Sequence, residues 1–286
     1  MIERIFGNEE CVPVNRILEH SLVDGPGNRT VIFFQGCNIA CRYCHNPETQ
    51  KLCQNCGECI TSCLQEALSL NENKVVWDET RCVGCDACIV ACPHRSSPKV
   101  KWMTVSEIMY HVSNSMPFIR GITVSGGECA LYMDFLLKLF EACKEKGLNC
   151  LMDCNGTIPV WKHLVISVCD GVMLDVKAWS EECFRKLTGG TNAALKENIK
   201  KLAELQKLTE IRIVCVDGEV DAKECICGIA NILDFGQIEK IPLKLIRFRP
   251  VGVRNGWEEK QMPNMAYMKK LSSLAKEQGF TDVRII

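Results

Sequence analysis

Three cysteines in one short loop have a spacing that suits an iron–sulfur cluster with one open iron. Cys37, Cys41 and Cys44 occur in the segment FFQGCNIACRYCHNPET, directly after an apolar run and Gly36. The four irons of a [4Fe–4S] cluster are each held by a cysteine thiolate. Three thiolates therefore leave one iron able to bind a substrate directly. A zinc loop is the alternative, but zinc sites take four ligands, commonly as two separated pairs.

Eight further cysteines form two runs with the same spacing, C-x2-C-x2-C-x3-C. The runs comprise Cys53, Cys56, Cys59 and Cys63, and then Cys82, Cys85, Cys88 and Cys92. This is the spacing of bacterial two-cluster ferredoxins, in which the fourth cysteine of each run ligates the other cluster. One predicted cluster takes Cys53, Cys56, Cys59 and Cys92, and the other takes Cys82, Cys85, Cys88 and Cys63. A pair of zinc knuckles is the alternative, and Leu64 stands where the pattern expects a proline.

Polar residues follow three apolar segments that are typical of strands. Residues 125–128 read SGGE, residues 153–156 read DCNG, and residues 175–177 read DVK. Asp153 and Asp175 each end an apolar segment, which is a costly place for a charge without a partner. Lys177 is the cation that could offset them. A structural Asp–Lys pair or simple loop caps are the alternative interpretation.

Strand-like and helix-like segments alternate along most of the chain. The predicted strands are residues 30–35, 121–125, 150–153, 171–175, 210–216 and 243–248. The predicted helices are residues 105–113, 133–146, 194–208, 222–233 and 265–277. The strand segments are apolar with little alternation, as in parallel strands buried on both faces. Six βαβ units predict an α/β protein with a partial (β/α)6 TIM-like barrel, whose site lies at the carboxyl ends of the strands.

The cysteine-dense segment interrupts this alternation and predicts three parts of the chain. Residues 1–50 begin the barrel and carry the three-cysteine loop, residues 51–98 form an inserted ferredoxin-like domain with two [4Fe–4S] clusters, and residues 99–286 complete the barrel. The insert ends in HRSSP, a turn-rich sequence. Its Ser97-Pro98 step disfavours helix.

Composition excludes several classes of protein. The chain has 286 residues, 47% of them apolar and 24% charged, with a formal net charge of -1. No run of like charge attracts it to nucleic acid or to an anionic membrane. We expect a cytoplasmic protein, because the first ten residues do not resemble a secretory signal and no apolar run is long enough to span a bilayer. The 21 cysteines then indicate metal-bound thiolates rather than disulfides, and the ten scattered ones small buried side chains.

The cysteine loop resembles the signature of the radical S-adenosylmethionine (SAM) superfamily, including Tyr43 before the last cysteine. The sequence VDGPGNR at residues 23–29 narrows the resemblance to glycyl-radical-enzyme activating enzymes, and the insert narrows it to the larger subgroup of these activases. Within that subgroup, residues 74–77, 118–124 and 174–179 resemble the YjjW-type activases. This resemblance implies three [4Fe–4S] clusters and SAM as co-substrate. It also implies a glycyl radical enzyme as partner and a reduced flavodoxin or ferredoxin as electron donor. A radical SAM enzyme acting on a small molecule or a peptide side chain is one alternative, and a ferredoxin-type electron-transfer protein is another.

The resemblance also implies roles for single residues. Those expected to contact SAM are Tyr43, Gly126, Gly127, Glu128, Asp153, Asn155, Asp175, Lys177 and Arg249. Asp153 and Met173 match positions that can hold a monovalent cation. Arg249 stands where relatives commonly carry a histidine, and Cys154 where they often have Thr or Ser. Asp24, Gly25 and Gly27 are expected to contact the glycine loop of the partner.

Overall fold

The computed structural model describes residues 4–6, 9–253 and 256–286, so part of the N-terminal segment inspected for a signal lies outside the described residues. The strands are β1 Arg4–Phe6, β2 Glu9–Ser21, β3 Arg29–Phe34, β4 Leu68–Asn71, β5 Lys74–Trp77, β6 Lys101–Met103, β7 Gly121–Gly126, β8 Asn149–Cys154, β9 Gly171–Asp175, β10 Leu208–Cys215, β11 Leu243–Arg247 and β12 Val283–Ile285. The α-helices are α1 Ala87–Ala91, α2 Val105–Ser115, α3 Met133–Glu145, α4 Val165–Val168, α5 Glu181–Thr188, α6 Leu195–Glu204, α7 Ala222–Ile232, α8 Phe235–Ile238 and α9 Met265–Glu277.

The six predicted strands form the centre of one parallel sheet. The sheet order is β1-β2-β3-β7-β8-β9-β10-β11-β12, and each neighbouring pair from β3 onward is parallel. The α/β class and the mostly parallel sheet are thus confirmed. The sequence patterns missed β12 and the long β2, which pairs with β3, β1 and β6 in antiparallel fashion. Pro13 lies within β2, and proline argues against strand in a sequence pattern.

The five predicted helices are present, and their ends agree within two residues except at one end. The helix expected over residues 194–208 ends at Glu204. Gln206 follows with a φ of 56°, and Leu208 already begins β10. Helix α5 was not predicted. No described helix has both the length and the apolar character needed to cross a bilayer.

The two faces of the parallel strands differ. In β10, Ile211, Ile213 and Cys215 are fully buried in the main core, while Glu210, Arg212 and Val214 alternate with them on the opposite face. Arg212 and Val214 line a cavity inside the curved sheet. The sheet therefore has an apolar face toward the helices and an inner face that carries charge.

Strands β4 and β5 form a hairpin separate from the large sheet. The hairpin, a 3-10 turn at Ile60–Ser62 and α1 surround a small core of Cys59, Leu68 and Cys88. Lys51 pairs with Ser96 in a parallel bridge, so the chain leaves and returns at neighbouring positions. This is the geometry that an inserted segment requires.

Candidate functional site

A cavity of about 240 Å³ lies at the carboxyl ends of the parallel strands. Residues from β3, β7, β8, β9, β10 and β11, or from the loops that follow them, contribute to its wall. The predicted site residues that line it are Cys37, Cys41, Tyr43, Cys44, Gly126, Gly127, Glu128, Asp153, Asn155, Asp175 and Lys177. Residues far apart in the sequence thus meet in one place.

Backbone hydrogen bonds hold the three-cysteine loop against its surroundings. Cys37 N donates to Gln50 O at 3.0 Å, and Arg42 N donates to Leu187 O at 2.9 Å. The Tyr43 hydroxyl donates to Lys177 O at 3.2 Å. The loop is therefore anchored on the following segment, on α5 and on the loop after β9.

The sulfurs of the loop are placed unlike the ligands of a single zinc ion. Among the described side chains, only two groups of three or more potential ligands have all their ligand atoms within 4.8 Å of one another, Cys56–Glu58–His94 and Glu128–Cys129–Cys154. Tetrahedral zinc, with Zn–S bonds of about 2.3 Å, holds its sulfurs roughly 3.8 Å apart. Cys37, Cys41 and Cys44 line one cavity without forming such a group. Their donor set fits a larger, multinuclear cluster better.

Burial keeps these thiols protonated when no metal is bound. It raises the pKa of Cys37 and of Cys41 to about 12 each, and raises that of Cys44 above its ordinary value. Lys177 acts in the opposite direction on the pKa of the Cys41 thiol. A metal cluster must therefore displace these protons when it binds.

The SGGE segment needs its two glycines because its backbone lies directly against the backbone of residues 34–36. Gly126 has a φ of 117°, and a Cβ there would lie 2.3 Å from both the N and the O of Phe34. A Cβ on Gly127 would lie 2.1 Å from Gly36 O. The loop after β7 thus packs directly on the start of the cysteine loop, which leaves no room for a side chain at either position.

Glu128 joins two of the loops around the cavity. Its carboxylate accepts from Ala130 N at 2.9 Å and from Asn155 N at 2.8 Å. The residue is 1% exposed, and burial raises the pKa of its carboxyl to about 7. Its first role in this structure is therefore to bind the loop after β7 to the loop after β8.

Two acid–base pairs lie at the base of the cavity. Lys177 Nζ is 2.6 Å from Asp175 Oδ2 and Arg212 Nη1 is 2.9 Å from Asp153 Oδ2. Burial raises the pKa of Asp153 to about 6, against the lowering effect of the Arg212 charge. The neighbouring Lys177 and Arg212 charges outweigh burial at Asp175 and lower its pKa. Asp153 Oδ1 is buried and has no hydrogen-bond partner, so it is left available to a ligand.

Four predicted residues lie elsewhere. Arg249 is exposed and does not line the cavity, although its carbonyl oxygen is 2.9 Å from His45 Nε2. Asp24, Gly25 and Gly27 precede β3, so they lie at the amino ends of the parallel strands, opposite the cavity. There Asp24 O accepts from Thr123 Oγ1 at 2.7 Å. The structure therefore separates these four residues from the other residues expected to contact SAM, all of which line the cavity.

Several residues of the cavity were not predicted. They include His45, Gln50, Ser125, Arg212, Val214 and Ile246. A signal for Arg212 was present in the sequence, because Glu210 and Arg212 place charges at alternate positions of an otherwise apolar strand. Gln50 and His45 carried no such signal, since both reach the cavity through the path of an irregular loop.

Two smaller cavities each collect four cysteines of the segment 51–98. One is lined by Cys53, Cys56, Cys59 and Cys92, and the other by Cys63, Cys82, Cys85 and Cys88. These are the same crossed sets that the spacing predicts. One cysteine from each set, Cys59 and Cys88, packs in the shared small core.

Comparisons with known proteins agree with this architecture. The family model for the Radical SAM superfamily matches residues 31–225. A Haemophilus influenzae protein that carries the name of a glycyl-radical enzyme activating enzyme is 28% identical, over 98% of each chain. The pyruvate formate-lyase 1-activating enzyme of Escherichia coli is 31% identical, over 85% of this chain and 80% of the relative. The crystal structure of QueE from Escherichia coli aligns with a TM-score of 0.56 at 14% identity, covering 96% of this chain and 94% of that one, which shows a shared fold.

Proposed function

The chain belongs to the radical SAM superfamily, among the activating enzymes of glycyl radical enzymes, and on this basis we propose that it reductively cleaves SAM and removes a Cα hydrogen from one glycine of a partner enzyme. The observation that carries the proposal is the meeting of Cys37, Cys41 and Cys44 with the SGGE, Asp153 and Lys177 loops in one cavity. Cys37, Cys41 and Cys44 would hold a [4Fe–4S] cluster, which would supply the electron for the cleavage of SAM to methionine and a 5′-deoxyadenosyl radical.

The charged residues of the cavity are suited to the methionine end of SAM. Glu128 and Asp153 present carboxylates for its ammonium group, and the Lys177 ammonium complements its carboxylate. The unpaired Asp153 Oδ1 offers an oxygen ligand for a monovalent cation beside that carboxylate, and Met173, the register partner of Asp153 in β9, is the second position proposed to hold it. Tyr43, Asn155 and Asp175 complete this wall. We retain Arg249 only as a residue whose backbone supports His45.

The cleavage reaction tests the proposal directly. Reconstituted, oxygen-free enzyme with SAM and dithionite should release 5′-deoxyadenosine. Adding the cognate glycyl radical enzyme should produce a doublet radical signal on that partner. Cys41→Ala should abolish both, while Cys227→Ala, which removes a half-buried thiol of α7 outside the cavity, should change neither. Protein that carries zinc in the loop, or iron without SAM cleavage, would refute the proposal. Turnover of a small molecule without any partner would favour the first alternative.

We also propose two further [4Fe–4S] clusters in a ferredoxin-like domain over residues 51–98. The support is the collection of the eight cysteines into two cavities by the crossed sets that this spacing predicts. About twelve irons per chain are then expected, in three clusters of four. A count near four, with eight titratable thiols left in the segment, would contradict this part of the proposal.

The position of the two cavities suggests an order for electron transfer. Gln50 lines the large cavity, and its Nε2 donates to Cys41 O at 3.3 Å. Arg95 Nη1 donates to Gln50 Oε1 at 3.4 Å, three residues after Cys92. The set with Cys53 and Cys92 is therefore joined to the cysteine loop, and the set with Cys63 is the entry point for a reduced flavodoxin or ferredoxin.

Variants of the two exposed cysteines, Cys56 and Cys85, test this relay. Each alanine substitution should lower the iron content and slow SAM cleavage with a protein donor. Neither should affect cleavage driven by dithionite, which can reduce the loop cluster directly. If neither substitution changed the rate with the protein donor or with dithionite, the two clusters would be structural.

The partner is proposed to be a glycyl radical enzyme in a cytoplasmic, anaerobic metabolism. Asp24, Gly25 and Gly27 lie at the amino end of the barrel, where Thr123, two residues before Ser125, faces the same interior as the cavity. A glycine loop that enters from this end would meet that segment first. Crosslinking between a cysteine placed at exposed Val23 and the partner's glycine loop would test this entry route.

A further inference from the structure

We propose that Glu210 is a positioning residue for SAM binding, which holds the Arg212 guanidinium against Asp153 and Met173. This inference rests on the proposed function, because it takes SAM as the ligand of the cavity. Glu210 itself does not line the cavity, so its effect must pass through Arg212.

The guanidinium of Arg212 connects three neighbouring strands. Its Nε donates to Glu210 Oε1 at 2.5 Å in the same strand, β10. Its Nη1 donates to Asp153 Oδ2 at 2.9 Å in β8, and its Nη2 lies 3.0 Å from the Met173 sulfur in β9. A planar guanidinium has a rigid fork of donors, so the bond to Glu210 determines where the other two nitrogens point.

A second cation makes Glu210 necessary. Lys244 of β11 is the register partner of Arg212, so two positive side chains stand side by side on the inner face. Like charges directly opposite each other in a sheet are destabilising. Glu210 lies between them, and its other carboxylate oxygen forms an ion pair with Lys244 Nζ at 2.8 Å. The three side chains are only 10–11% exposed, so water screens this repulsion poorly.

Removing the Glu210 charge therefore acts on the SAM site at a distance. Arg212 would lose its Nε partner and would be repelled by Lys244. Asp153 Oδ2 would keep the hydrogen bond from Ser125 Oγ at 3.1 Å but lose its ion pair with the guanidinium, so the unpaired Oδ1 of the same carboxylate would be held less firmly toward the cavity. The loss falls on ligand binding, because the cysteine loop makes no hydrogen bond to Glu210 in the described part of the chain.

The test measures SAM binding to the oxidised holoenzyme by calorimetry, where no turnover occurs, together with the rate at which the reduced enzyme releases deoxyadenosine. Glu210→Gln should raise the Kd for SAM about 10-fold, which equals about 1.4 kcal/mol. The release rate at saturating SAM should change less than about threefold. Glu204→Gln is the matched control, since Glu204 is exposed, lies outside the cavity and pairs with Lys201 in α6. It should leave both values unchanged.

A double variant separates positioning from simple destabilisation. In Glu210→Gln with Lys244→Met the repulsion on Arg212 is absent, so the Kd should rise only about threefold, less than in the single variant. A purely structural role for Glu210 would lower the melting temperature while leaving the Kd of the folded fraction unchanged, and would overturn the inference. An equal or larger rise in the double variant would also overturn it.

The test also covers a variant that does not fold and a wild-type enzyme that does not bind SAM. If Glu210→Gln does not fold, the double variant, which leaves the net charge unchanged, still tests the inference. Its Kd for SAM should be about threefold above that of the wild type, and an unchanged Kd would overturn the inference. Wild-type holoenzyme that fails to bind SAM would refute the proposed function as well, whereas unchanged Kd values in variants of an active enzyme refute only this inference.

Discussion

Replacing Gly127 with alanine should separate the cysteine loop from the SGGE loop. The added Cβ would lie 2.1 Å from Gly36 O, and ordinary van der Waals contact for a Cβ begins at 3.4 Å. The two backbones must therefore move apart by roughly 1.3 Å, the difference between these distances. Glu128 N donates to Gly36 O at 2.8 Å and Gly127 N to Phe34 O at 2.9 Å. A displacement of this size breaks the first bond and weakens the second.

The expected cost follows from these contacts. Overpacking a tight site costs about 1–3 kcal/mol, and each lost backbone hydrogen bond about 1 kcal/mol. The free energy of unfolding should fall by about 2–5 kcal/mol, a large share of the roughly 5–15 kcal/mol typical of a folded domain. The displacement also shifts Cys37, next to Gly36, so iron incorporation into the loop and SAM affinity should both decrease.

Urea unfolding of the reduced apo chain measures the first effect, and iron content with SAM calorimetry measures the second. Gly236→Ala is the control, because a Cβ at Gly236 meets only Asp234 Oδ1, at 3.6 Å, in helix α8. That variant should be neutral or more stable by up to about 1 kcal/mol. A Gly127→Ala chain within about 1 kcal/mol of wild type, with normal iron content and SAM affinity, would show that the steric reasoning is wrong.

Three further outcomes are expected. Because burial raises the pKa of Glu128 from 4.5 to about 7, the folded chain retains a proton that the unfolded chain has released, and the free energy of unfolding should fall by up to about 3 kcal/mol as the pH rises from 4.5 to 7. Glu128→Gln should remove this contribution in pH-dependent urea titrations, and Asp153, whose pKa burial raises to about 6, should account for a separate fall that persists in the variant. Arg29 is fully buried and donates to Thr123 Oγ1 at 2.7 Å. Arg29→Met should therefore lower the free energy of unfolding of the apo chain by about 3 kcal/mol or more. A smaller decrease in urea unfolding would contradict this. Thr104→Ala removes the capping box of α2, which should cost about 1 kcal/mol in thermal unfolding without changing the release of deoxyadenosine.

The grouping of the cysteines was the most predictable part of the site. Cys37, Cys41 and Cys44 lie so close along the chain that covalent connectivity brings them into one loop. The two crossed groups of four cysteines in the segment 51–98 were also predictable, because the repeated spacing matches that of two-cluster ferredoxins. The loops that carry Glu128 and Lys177 could be assigned to one site because the carboxyl ends of parallel strands converge at one edge of the sheet.

Two other predictions from sequence motifs differ from what the structure shows at the cavity. Arg249 was assigned from its place near the last strand, but the chain turns outward there and leaves the side chain in solvent. The glycines of the SGGE segment were expected to admit a ligand. The structure shows that they first admit the backbone of Phe34 and Gly36, a contact between segments about 90 residues apart that no local pattern reveals.

The amino-acid sequence by itself determined the apolar parallel strands, the thiolate spacing and the polar residues at the strand ends, because each depends on neighbours along the chain. Only the tertiary structure decided that Arg212 faces Lys244 with Glu210 between them, that Asp153 keeps one oxygen unpaired, and that residues 24–27 lie at the opposite end of the barrel. These facts depend on strand register and on the order of the strands in the sheet, which relate residues that are distant in sequence. Side-chain contacts between neighbouring strands leave no periodic pattern in the sequence, so they can be identified only from the alignment of the strands in the structure.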